Sequence, residues 1–175
     1  MIETYLQNIA TSEKGNYIVE QIKVALPNGS KRRQSNHKLQ FKYNSSVIEI
    51  LIQIGLGDSV KIVTTIPHST QLVDFEIECI SPFENLFMRR KSRFKVKSKN
   101  KTFKYFLENN ALEVFDKIME SQNFDPRIFT QNQQSHNEIV FEFHIAFENW
   151  IYTIEDIIKF LKMVLDELRY NKSNF

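Results

Sequence analysis

Residues 93–119, RFKVKSKNKTFKYFLENNALEVFDKIM, change period part-way along. In RFKVKSK, Phe94 and Val96 fall on one side and Arg93, Lys95 and Lys97 on the other, which is the two-residue repeat of a strand with one charged face. After SKNK the apolar positions are Phe103, Phe106, Leu107, Ala111, Val114, Phe115, Ile118 and Met119, spaced as on an amphipathic helix. The stretch predicts a strand and then a helix from about Thr102 to Ser121.

Upstream, the alternation recurs. Tyr17, Ile18, Ile22, Val24 and Leu26 fit an imperfect strand, PNGS at 27–30 is a turn signal, and KLQFKY at 38–43 sets Leu39, Phe41 and Tyr43 on one side. Residues 17–43 read as one long hairpin. VIEILIQIG at 47–55 alternates through Ile48, Ile50, Ile52 and Ile54, GLGD turns, and VKIVTTI follows at 60–66. DFEIECI at 74–80 then places Phe75, Ile77 and Cys79 opposite Asp74, Glu76 and Glu78. These runs predict neighbouring strands of an antiparallel meander.

Downstream, Pro126 precedes a short strand, RIFTQ, and IVFEFHIAF at 139–147 reads as a central strand. Ile154, Ile157, Ile158, Leu161, Leu165 and Leu168 form the stripe of a last helix, with Thr153 and Asp156 placed as a capping box. The order predicts an α+β fold: an antiparallel β-meander followed by helix-strand-strand-helix, with two amphipathic helices packed on one sheet face. The chain reads as a single domain, 1–175, with 1–15 a frayed or appended N-terminal segment.

Composition narrows the class. Fifteen Phe and six Tyr against four Gly and four Pro favour regular structure over disorder. The single cysteine, Cys79, has no intramolecular partner, and MIETYLQNIA lacks the pattern of a secretory signal, so a cytoplasmic location is expected. The longest apolar run, VIEILIQIGL, is about half the length of a spanning helix. Richness in Asn, Lys, Ile and Phe fits an AT-rich bacterial genome.

Charge is unevenly spread although the net charge is only +2. Nine Lys or Arg lie between Arg89 and Lys104 with no Asp or Glu among them. Arg89, Arg90, Lys91, Arg93, Lys95, Lys97, Lys99 and Lys101 are the first candidates for binding anionic groups. Lys31, Arg32 and Arg33, with Lys38 and Lys42, form a second cluster without acids. On a strand, alternate cations stand about 6.5–7 Å apart, which suits phosphates or lipid headgroups. The plainer reading is a solvated face whose lysines guard a sheet edge.

Other chemistries find little support. Gly-x-Ser-x-Gly is absent, and GLGD lacks the third glycine and the following helix of a dinucleotide loop. No cofactor is expected. His37, His68, His136 and His144 are scattered, and Glu142 with His144 has no third ligand at diagnostic spacing, so no metal is expected either. The leading expectation is a non-enzymatic binding domain whose basic strand face meets an anionic partner: nucleic acid, an anionic membrane surface or an acidic protein. One alternative is a structural homo-oligomer in which that strand meets the acidic surface of another chain. The other is a metal-dependent hydrolase on nucleic acid or phosphate substrates, with Asp74, Glu76 and Glu78 as metal ligands.

Overall fold

The computed structural model describes residues 2–27, 29–70, 72–80, 93–115, 124–145 and 147–172. Helix α1 (Ile2–Ser12) leads into β1 (Asn16–Ala25), β2 (Lys31–Tyr43), β3 (Ser46–Ile54) and β4 (Ser59–Ile66). Strands β5 (Phe75–Cys79) and β6 (Phe94–Ser98) follow, then α2 (Lys101–Phe106), β7 (Arg127–Asn132), β8 (Asn137–His144) and α3 (Thr153–Lys172). The strands form one eight-stranded sheet, β1-β2-β3-β4-β8-β7-β5-β6, antiparallel at every step. The chain is therefore α+β with an antiparallel sheet.

Two-residue alternation builds the sheet. Leu39 and Phe41 of β2, Ile48, Ile50 and Ile52 of β3, and Val60, Ile62 and Ile66 of β4 are all buried. Ile77 of β5 pairs with Val96 of β6 and with Ile128 of β7, and Ile128 in turn with Phe141 of β8, which carries the same buried face to the far edge. Strand β5 departs from the expected meander. It does not lie beside β4, because β8 and β7 stand between them. The reason is visible in β8, where Val140, on the opposite alternation from Ile139 and Phe141, is buried too. The face that Val140 shares also carries Glu138, Glu142 and His144, and register sets Glu142 between Lys61 of β4 and Arg127 of β7, so β8 finds partners on both sides inside the sheet.

The helix expected over 102–121 is shorter. Asn100 caps α2 by accepting from the Phe103 N–H at 3.0 Å, and α-helical geometry ends at Phe106. A π turn, Leu107–Ala111, and a 3₁₀ turn, Leu112–Phe115, continue the chain; residues 116–123 lie outside the described set. Phe103, Leu107, Ala111 and Phe115 are buried at four-residue spacing. In an α-helix of about 3.6 residues per turn that spacing drifts around the axis. A wider turn, closed here by the Leu112 N–H donating to the Leu107 carbonyl, corrects the drift.

Aromatic rings join these segments to the sheet. Phe103 meets Phe75 at 5.6 Å, and Phe115 meets Phe94 at 5.9 Å and Phe141 at 5.8 Å. From α3, Phe160 reaches Phe115 at 5.2 Å and Phe141 at 6.2 Å. The α3 stripe of Ile154, Ile157, Ile158, Leu161, Leu165 and Leu168 is buried as its spacing predicts. The helix starts after a 3₁₀ turn, Trp150–Tyr152, and the Thr153 hydroxyl donates back to the Trp150 carbonyl at 2.6 Å. Leu6, Ile9 and Ala10 of α1 belong to the same core. Lys162 of α3 lies 2.7 Å from both Glu13 oxygens, tying the end of α1 to the last helix.

Candidate functional site

The basic residues around β6 divide. Arg89, Arg90 and Lys91 lie outside the described residues. Arg93 is partly buried ahead of β6, and its Nε has no hydrogen-bond partner among the described residues. Lys95 and Lys97 project from the exposed face of β6, while Lys99 and Lys101 lie exposed in the turn and at the first position of α2.

Cross-strand register occupies Lys97. Its Nζ lies 2.7 Å from Glu78 and 3.2 Å from Glu76, and Arg127 reaches Glu76 from the other side at 3.4 Å. The Lys97 hydrogen bond, reinforced by Arg127, holds the Glu76 carboxyl below its ordinary range, and Glu78 and Glu76 push the Lys97 ammonium up. Two of the three acids named as metal ligands thus already carry cations, while Asp74 stands exposed at the end of the row. Among the described residues, no group of three His, Cys, Asp or Glu could hold a metal ion. Burial, with Asp125 nearby, pushes the Cys79 thiol up to about 12, so the thiolate is scarce at neutral pH.

A concavity of about 500 Å³ opens over β3, β4, β8 and β7, lined in part by Gln53, Lys61, Asp125, Arg127, Glu142 and His144. Register sets Glu142 opposite Lys61 on one side and Arg127 on the other. A carboxylate between two cations is an ordinary stabilising cross-strand arrangement.

The second cluster is different. Lys38 is spent on Glu49, at 2.6 Å. Lys31, Arg32 and Arg33 are exposed at the outer end of β2, opposite Ala25, Val24 and Lys23 of β1. Lys23 is a fourth cation that strand-by-strand reading missed; the hairpin register around PNGS was the signal that could have found it. Among the described residues, none of these four has a carboxylate within ion-pair distance. No acid occurs in the sequence between Glu20 and Glu49. Among the described residues the two clusters do not merge. β2 is second and β6 eighth in the sheet, six strand spacings or about 29 Å apart along it.

No helix among the described residues is long and apolar enough to cross a membrane. No protein-family model, curated protein or solved structure matches the chain.

Proposed function

We propose that the chain is a non-enzymatic binding domain that meets an anionic partner through cations of its sheet, with Lys23, Lys31, Arg32 and Arg33 as the principal contacts. In this reading the two amphipathic helices form a layer on one sheet face and leave the outer hairpin free. One observation carries it: these four cations are exposed, lack acidic partners among the described residues and lie in a stretch without acids between Glu20 and Glu49, whereas β6 faces Glu76 and Glu78 in register and Lys97 already serves both. Attraction toward an outside anion is strongest where no internal carboxylate competes. Lys95, Lys99 and Lys101 are secondary contacts.

The test is binding across salt to a panel of polyanions: duplex and single-stranded DNA, RNA, and vesicles containing phosphatidylserine. The expected result is binding that weakens with salt and is lost in Lys31→Glu/Arg32→Glu/Arg33→Glu. A triple variant that binds every anion as the parent does, or a parent that binds none at low salt, overturns the proposal.

Self-association has its own supporting observation. β1 is a ten-residue edge strand with Ile18, Val19 and Ile22 exposed, and an unpaired edge of that kind can add a strand from a second copy. Sedimentation at several concentrations tests this reading, and a monomer throughout excludes it.

A further inference from the structure

We infer that the outer part of the β1–β2 hairpin is a ribbon that enters the major groove of double-stranded DNA. This rests on the proposed anionic partner and names its class. The last β2–β3 pair is Ser35 with Ile54, yet β1 and β2 continue through Ile22–Gln34, Lys23–Arg33, Val24–Arg32 and Ala25–Lys31. These four pairs form a two-stranded ribbon about 13 Å long with strands about 4.8 Å apart, its inner two pairs braced by Gly55 against the Arg33 and Gln34 backbone and its outer two beyond that contact. A B-form major groove, about 12 Å wide and 8.5 Å deep, admits a two-stranded ribbon.

The placement of charge favours a groove over a plane. Alternation puts Lys23, Lys31 and Arg33 on one face of the ribbon and Arg32 on the other. A flat anionic membrane engages one face only, whereas a groove has phosphates along both walls. The residues sharing the richer face, Gln21, Ala25 and Ser35, are small or uncharged, so they admit close approach and offer polar groups to base edges. Single-stranded nucleic acid is disfavoured, because binding it relies on stacked rings and residues 18–36 contain no Phe, Tyr, Trp or His. Duplex RNA is disfavoured because its major groove is too narrow for side chains to read.

The experiment measures binding of the full chain to a 20-base-pair DNA duplex, the matching RNA duplex, single-stranded DNA and phosphatidylserine vesicles over a range of salt. For DNA, four phosphate contacts give a slope of log K against log salt of about −3.6. The expected result is tightest binding to duplex DNA, weakened at least tenfold by Lys31→Glu/Arg32→Glu/Arg33→Glu. The altered side chains are exposed, and an unchanged melting temperature certifies the variant's fold. Equal or tighter binding to vesicles, single strands or duplex RNA, lost in the same variant, overturns the groove inference and leaves the anionic-partner reading standing. Binding to no anion, or binding insensitive to the variant, overturns both.

Discussion

The hydroxyl of Tyr17 lies 2.7 Å from Nδ1 of His37, with the two rings stacked 13° from parallel. The pair stands at the root of the hairpin, where β1 and β2 are still in register with the body of the sheet. His37 is only 5% exposed, and burial lowers its pKa against the opposing pull of Glu3. Burial, then Glu3, raises the Tyr17 pKa, so the phenol keeps its proton as a donor for a neutral imidazole.

The sign of the resulting pH dependence follows from the lowered value. In the unfolded chain His37 takes a proton near 6.5, and in the folded chain only at lower pH. Its stabilising contribution is complete above about pH 6.5 and is lost as the pH falls toward the folded value. Melting temperatures of the parent should therefore drop between pH 7.5 and 5.5 more than those of His37→Gln. Parallel curves for the two proteins would show that burial of His37 does not drive the acid sensitivity.

Gly55 supports the hairpin from the other side. It sits at φ +119°, and a Cβ there would lie 2.4 Å from the backbone carbonyl oxygen of Arg33. Neither the backbone angle nor the contact can relax by moving a side chain. Gly57, at φ +70°, has open space around it. Gly55→Ala should cost roughly 1–3 kcal/mol of stability and Gly57→Ala at most about 1 kcal/mol. Urea unfolding of both variants checks the ranking, and equal midpoints would reject the close approach.

Lys97 sets a different expectation for the β6 surface. Because it bridges Glu76 and Glu78, Lys97→Glu places three carboxylates together and should lower the melting temperature more than Lys97→Ala does. The gap between the two variants should shrink in high salt, since Lys97 is exposed and both carboxylates are partly open to solvent and so are screened. A gap that persists unchanged at 1 M salt would argue against charge repulsion as its cause.

Much of the sheet is legible in the sequence because a half-buried strand repeats every two residues. Leu39 and Phe41, or Ile48 and Ile50, declare their buried side without knowledge of any neighbour. Neighbours are another matter. Alternation at Phe75 and Ile77 says that one side of β5 is buried, but not that β7 and β6 flank it in place of β4. The helix stripe marks Phe103, Leu107, Ala111 and Phe115 as buried, and their strict spacing of four is the trace of the π turn. For the surface, counting charges along the chain makes β6 the richer cluster. Only register reveals that Lys97 is paired, and only the end of β3 at Ile54 reveals that Lys31, Arg32 and Arg33 run past the sheet.

Thr64 offers the most direct test of how the sheet interior is satisfied. It lies in β4 between Ile48 of β3 and Ile139 of β8 and is fully buried. Among the described residues its Oγ1 has no hydrogen-bond partner. A buried hydroxyl without a partner costs about 1–3 kcal/mol, and a valine of nearly the same shape removes that cost while keeping both branches at Cβ. Thr64→Val should therefore raise stability by about 1 kcal/mol. Thr64→Ser retains the hydroxyl and deletes a methyl group, so it should lower stability by about 1 kcal/mol. The two variants move in opposite directions only if the hydroxyl is unsatisfied. Urea unfolding with an unchanged slope reads both, and a destabilised valine variant would mean that Oγ1 has a partner in solution.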